Sequence, residues 1–335
     1  AFVKTPRSLA LFVGAFLLAC LKMGQEGLVG KITGSLVWQN QGIMRLHGTT
    51  PLYTHPNSFA GMAMGTLPFS YFLWPAVGVF PKIALLTLVV FSVNIIVFSG
   101  SRTAYVALVG LGILLLWQTK RRALFLFVGA VILAVGLMRV PQEYIDRFRS
   151  IFTLEEAEGD SSGRRLEILA DAWKIFLDHP FGVGIRAFPK VRREVFGRIQ
   201  DTHNLYLEIL TNLGIHGFIV VALFFYKMIR TLLDLKARLS TQIGALQKSA
   251  GKGRASGETD VERHLSDLRL LLAVSNAVLM YVAIRLILGF FGMDLYEIYW
   301  WLACGTTISI FNMNRVAERK TAACLEAGRK AKENG

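Results

Sequence analysis

Long apolar blocks, set apart by short clusters of charge, constrain this chain more than any other feature. A helix crossing a bilayer core of about 30 Å needs roughly 20 apolar residues. About eight segments approach that length, near 8–23, 58–80, 82–99, 103–118, 122–138, 204–229, 268–290 and 295–312. Hydrophobic residues make up 53% of the 335 residues and charged ones only 18%, and the charges are bunched between the blocks. A soluble fold scatters charge to keep a polar face everywhere, whereas a bilayer protein confines it to loops. The expected class is therefore an all-α, polytopic helical bundle in a membrane. Pro68 and Pro75 predict a kink or break in the 58–80 span, with neighbouring helices re-satisfying the freed carbonyls.

The net charge of +14 lies largely beside the spans, where insertion topology and anionic lipid account for it, so nucleic acid is not the expected partner. Cys20, Cys304 and Cys324 fall outside the loops placed on the outer face and suggest no disulfide framework. The first apolar stretch reads as a retained span rather than a cleaved leader, and a chain that begins at Ala1 is expected to lack residues upstream. Positive clusters orient the bundle. The turn Gln118-Thr119-Lys120-Arg121-Arg122, residues 1–7, the link Pro81-Lys82, residues 230–267 and the tail from Arg315 to Lys332 are expected inside. Residues 24–57, the junction Ser99–Arg102, the segment 139–203 and the turn 291–294 are then outside. The organisation read from this is N-terminal transmembrane helices over 1–138, an outer loop over 139–203, C-terminal transmembrane helices over 204–313 with an inner loop at 230–267, and a basic tail over 314–335. Residues 240–260 are small, polar and Gly-rich and read as a flexible inner loop. Residues 139–203 read as folded, because Leu166, Leu169, Trp173, Phe176 and Leu177 form a helical stripe that Pro180 ends. Asp160, Ser161 and Ser162 are its candidate N-caps, and the helix is expected to lie on the membrane surface.

Four motifs carry potential chemistry. Ser99-Gly100-Ser101-Arg102-Thr103 sets a guanidinium at the outer end of a span, either as a snorkelling anchor or as an anion clamp. Ser162-Gly163-Arg164-Arg165-Leu166-Glu167 sets two arginines at a helix start, where backbone N–H groups also favour anions. The nine arginines between 139 and 203 are many for an outer segment, though long loops escape the insertion rule. Asp201-Thr202-His203-Asn204 places an imidazole at the outer surface beside an amide able to orient it, either as a base near neutral pH or as a packing residue at a helix start. His179 is a weaker candidate of the same kind. Arg45-Leu46-His47-Gly48 precedes His55-Pro56-Asn57-Ser58, where Asn57 or Ser58 is expected to cap the next span and Arg45 to add to an anionic site. No Asp-x-Asp metal motif stands in the outer segments.

Taken together these pieces resemble the O-antigen ligase/polymerase superfamily of bacterial envelope glycosyltransferases, with a GT-C-like architecture. The resemblance rests on Arg45-x-x-Gly48 with His55-Pro56-Asn57, on Ser101-Arg102-Thr103, on Gly163 to Ile168 running to Asp178-His179-Pro180-Phe181-Gly182-Val183-Gly184, and on His203-Asn204-Leu205-Tyr206-Leu207 with Gly214 and Gly217. It covers about residues 40–230, and Leu169 stands where the family usually has Trp. The resemblance implies a metal-independent, inverting enzyme without cofactor, in the bacterial inner membrane and facing the periplasm. It would move a glycan from an undecaprenyl-pyrophosphate donor to an acceptor hydroxyl. Arg102 and Arg165 would hold the pyrophosphate and His203 would serve the acceptor, with Arg164 interchangeable with Arg165. Arg45, Asn204, Arg186 and Arg285 are further substrate-binding candidates. Arg285 is the main ionisable residue within a span, and it acts either as a structural partner in the bundle or as a ligand for donor phosphate. The acceptor stays open among lipid A core, a growing glycan and protein. A lipid or polysaccharide transporter and a non-catalytic scaffold are the readings from other classes, and no inverted repeat supports the first.

Overall fold

The computed structural model describes residues 3–40, 42–119, 122–123, 126–127, 129–130, 140–153, 161–250, 258–292 and 295–333. Ten helices and one hairpin make up the described residues. α1 spans Pro6–Thr33, α2 Pro56–Leu73, α3 Val79–Phe98 and α4 Arg102–Gln118. α5 spans Gln142–Thr153, α6 Ser161–Asp178 and α7 Phe188–Phe196. α8 spans Leu205–Ala250, α9 Glu258–Leu288 and α10 Ile298–Glu333. The antiparallel strands β1 (Val37–Asn40) and β2 (Ile43–Leu46) pair with Trp38 opposite Arg45, a small departure from an all-helical reading.

Among the described residues, α1, α3, α8 and α9 are long and apolar enough to cross a membrane, and α4 is a shorter apolar helix. The other spans expected from the sequence are not confirmed, and most of 122–138 lies outside the described residues. The most apolar window of α9 is 61% buried, against 28% in α1, α3 and α8. α9 is therefore the central post, and the other three turn much of their apolar surface outward, as lipid-facing helices do. Thr5 starts α1 with a reciprocal cap to Ser8, and Gly34 ends it at φ 75°. α2 continues past Pro68 and ends in the short turn Trp74–Ala76 at Pro75, so the expected break falls at the second proline.

The helices outrun the spans. The part of α8 that follows its break at Gly214, residues 215–250, is roughly 54 Å long at 1.5 Å per residue, well beyond a bilayer core of about 30 Å. Residues 240–250, expected as loop, are its last turns. The reason is a heptad stripe within a polar composition: Leu232, Leu235, Leu239, Gln242 and Leu246 recur at three- and four-residue steps and are all buried. Gln242 Nε2 donates to Asn314 Oδ1 (2.8 Å), and Thr321 Oγ1 donates to Gln242 Oε1 (3.1 Å). The inner loop and tail are thus largely an extension of α8, α9 and α10.

At the other end, the linkers placed on one face by charge alternation meet. Leu205 N donates to Gly289 O (2.7 Å), Asn204 Nδ2 to Phe290 O (3.1 Å), and the Tyr144 hydroxyl to Met44 O. The segment 161–203 carries a core of its own, in which Ile168, Ala172 and Ile175 pack on Phe188. Within it Arg192 is fully buried, with Nε and Nη2 each 2.9 Å from Oδ2 of the buried Asp171. Pro180-Phe181-Gly182-Val183-Gly184 then docks on α8 where α8 kinks at Gly214 (φ 69°, ψ −174°). Ile215 N donates to Pro180 O (2.9 Å), Val183 N to Thr211 O (2.8 Å) and Gly184 N to Asn212 O (3.0 Å). A Cβ on Gly214 would stand 2.6 Å from Pro180 O, and one on Gly182 would stand 2.6 Å from Gly214 N. Two glycines let two backbones touch, which fixes the segment on the bundle.

Candidate active site

Arg45 is a tightly held charge at this end. It sits on β2 with only 2% of its surface exposed. Its Nε donates to Ser99 O (2.7 Å), Nη1 to Asn40 Oδ1 (3.1 Å) and Nη2 to Asn57 Oδ1 (2.6 Å). The Ser99-Gly100 turn serves two arginines, because Arg147 Nε on α5 donates to Gly100 O (3.4 Å). Gly100 adopts φ 58°, which presents both carbonyls. Burial first, and then the fields of Arg147, Arg165 and Arg102, lower the Arg45 pKa to about 10, with Tyr105 opposing. Three arginines from three other elements therefore act on Arg45 at this end.

Two imidazoles face the same cluster. Burial pushes the His55 pKa down to about 4, and Arg45, His203 and Arg165 add to the shift. Burial also lowers the His203 pKa, Arg165 and Arg192 lower it further, and Asp201 partly opposes them. Both rings nevertheless expose surface to water. Both are neutral at pH 7. His203 also holds φ 48°, a left-handed conformation that costs a non-glycine residue about 1–3 kcal/mol and collects at functional positions.

The expected site residues fall into two groups. Arg102 is the first residue of α4, capped by Ser101, at the helix end whose dipole disfavours a cation. Of the adjacent pair on α6, Arg165 is half-buried and acts on Arg45, His55 and His203, while Arg164 is exposed. Arg102 and Arg165 thus act on Arg45, and Arg165 acts on His203. Arg186, at φ 55°, lies over the Tyr296 ring (5.3 Å) and is not among the groups that shift His55 or His203. Arg285 is buried within the bundle between Tyr299 (3.4 Å to the ring centre) and Tyr281 (5.4 Å), and its Nη2 donates to Gly61 O (3.0 Å). Asn204 caps α8, its Oδ1 accepting from Tyr206 N and Leu207 N (3.0 Å each), rather than orienting the neighbouring imidazole. Asp160, one candidate cap of α6, lies outside the described residues.

Two members of the cluster carried no role in the sequence reading. Arg147 stands in no motif, and only its burial on an amphipathic helix marks it. His55, rather than Asn57 or Ser58, caps α2: its Nδ1 accepts from Asn57 N (3.2 Å). The Asn57 side chain instead holds Arg45. Among the described residues no group of three or more His, Cys, Asp or Glu is placed to hold a metal ion.

Residues 87–222 match the family model described as O-Antigen ligase. No curated protein matches the chain.

Proposed function

Taking residues 87–222 as the O-antigen ligase part of this chain, we propose that it transfers a glycan from undecaprenyl pyrophosphate to an acceptor hydroxyl, as an O-antigen ligase. The match over residues 87–222 supports the general activity, an O-antigen ligase- or polymerase-type glycan transfer, and several apolar helices accord with a membrane enzyme. The observation that carries the finer reading is the convergence of Arg45, Arg102, Arg147 and Arg165 beside the neutral imidazole of His203.

The chemistry follows from charge. An acceptor hydroxyl oxygen attacks the anomeric carbon while the bond from that carbon to the pyrophosphate oxygen breaks. The bonding pair leaves on the pyrophosphate, and the sugar inverts. Negative charge grows on the departing group, and fixed guanidinium groups in a partly dry cleft stabilise it without reorganising. Arg102 and Arg165 hold the pyrophosphate, because the planar fork of Arg matches two phosphate oxygens at once. Arg45 and Arg147, tied to the Ser99-Gly100 carbonyls, add to the positive field. The hydroxyl proton passes to a ring nitrogen of His203. Arg165 and burial keep that imidazole neutral and able to accept it. No metal is required in this scheme, because the arginines supply the charge that a divalent cation supplies elsewhere.

The site end faces the periplasm of the inner membrane in this reading, which is supported by Lys4, Arg7 and Lys82 standing at the far end of their helices. The decisive experiment is transfer in vesicles. Purified full-length protein receives an undecaprenyl-pyrophosphate oligosaccharide and a panel of lipid A-core, glycan and peptide acceptors, with chelator present. Wild type is expected to add mass to one acceptor, and His203→Ala and Arg165→Lys to lose at least a hundredfold in rate while inserting normally. Wild-type rates in His203→Ala would remove the base assignment. A strict need for a divalent cation would remove the mechanism.

A further inference from the structure

His55 has a hydrogen-bonding state that the geometry decides. The Asn57 amide donates to its Nδ1 (3.2 Å), so Nδ1 carries a lone pair. A neutral ring in that position must bear its proton on Nε2 and can only donate from there. The ring is neutral at pH 7, since burial, Arg45, His203 and Arg165 all oppose its protonation. Asn57 fixes two site members at once, through its backbone N–H on His55 and its Oδ1 on Arg45 Nη2 (2.6 Å). His203 differs: among the described residues no hydrogen bond is made to its ring, so both of its nitrogens remain available to a substrate.

We propose that His55 is a fixed hydrogen-bond donor of the site, with its Nε2–H directed at an oxygen of the pyrophosphate that the arginines hold. This rests on the pyrophosphate reading above and assigns the two imidazoles opposite tasks. His203 accepts a proton from the acceptor. His55 accepts none, because its one basic nitrogen is occupied by the helix it caps. It adds a neutral donor among cations, which strengthens anion binding without adding to the mutual repulsion of the arginines.

The test is binding of farnesyl pyrophosphate, a short prenyl pyrophosphate, to the purified full-length chain by thermal shift and calorimetry. Arg165→Ala serves as the control for the anion site. His55→Asn keeps a side-chain acceptor for the Asn57 amide, and Asn is a good cap, but its amide is too short to reach where Nε2 stood. His55→Gln places an N–H at that reach and gives up most of the cap. The expected result is a ten- to hundredfold loss of affinity in His55→Asn, with unchanged ligand-free melting. His55→Gln should recover to within about threefold of wild type, although it melts lower. If His55→Asn binds as wild type does while Arg165→Ala fails, the donor role is overturned and the anion site stands. Equal loss in Asn and Gln variants also overturns it, since a structural cap alone does not rank them that way. No binding by wild type removes the ligand on which both readings rest.

Discussion

Replacing Gly214 by alanine isolates the contact that fixes the outer segment on the bundle. The backbone there, at φ 69° and ψ −174°, is in a region open only to glycine, and forcing another residue into it costs about 1–3 kcal/mol. The added methyl also meets backbone rather than a yielding side chain, at 2.6 Å from Pro180 O and 2.7 Å from Gly182 N. Relief requires the Pro180–Gly184 turn to move off α8, which strains or breaks the bonds from Ile215 N to Pro180 O, Val183 N to Thr211 O and Gly184 N to Asn212 O. At about 1 kcal/mol for each bond, the total is roughly 4–6 kcal/mol. The same movement separates Arg165, on the helix that ends at this turn, from His203, just before α8. Gly244→Ala, also on α8, is the control: a Cβ there meets nothing within 4 Å, so it should be neutral or stabilise by up to about 1 kcal/mol. The assay is thermal unfolding of purified protein in detergent together with vesicle transfer. Gly214→Ala is expected to melt well below wild type and to lose transfer, and Gly244→Ala to keep both. A Gly214→Ala protein with wild-type melting and rate would refute the reasoning.

Asp201→Asn should shift the acid limb of the rate profile. Asp201 raises the His203 pKa, and its Oδ1 accepts from Thr202 N (2.8 Å), a bond that an asparagine Oδ1 retains. Removing the charge lowers the His203 pKa further, so activity, lost as pH falls through that pKa, persists to lower pH; a limb that moves upward contradicts the assignment. Asp171→Ala leaves the fully buried Arg192 without its carboxylate and should destabilise the outer segment by about 3–5 kcal/mol, read as faster proteolysis within 161–203. Unchanged proteolysis would mean that the Arg192–Asp171 pair does not hold that segment together.

The apolar blocks and charge clusters made the helical class and the grouping of linkers at one end legible. Of the residues singled out by motif, Arg165 acts on His203, and Arg102 and Arg165 act on Arg45. Local pattern fails where a partner is distant. Asn57 reads as a cap by type, yet its side chain is drawn to Arg45 across the hairpin, and His55 takes the cap. Arg147 has no neighbouring motif, and its meaning lies in a carbonyl 47 residues away, at Gly100. The kink at Gly214 lies inside the stretch read as one span, 204–229, where the glycine is visible in the sequence but its positive φ is not. Residues 240–250 misled by composition, since a heptad of buried positions outweighs the polar residues between them.

The hairpin that carries Arg45, and the cap that carries His55, precede the stretch that matches the O-antigen ligase model. Arg102, Arg147, Arg165 and His203 lie within that stretch, so the cluster is shared across its boundary. Residues 87–222 are therefore not a transplantable cassette. A chimaera that exchanges only that stretch between relatives would pair one protein's arginines with another's hairpin, so that the Arg45 guanidinium, still held by its own Asn57 Oδ1, meets a Ser99 carbonyl from a different turn. Recombination that respects function must carry residues 37–57 along with it.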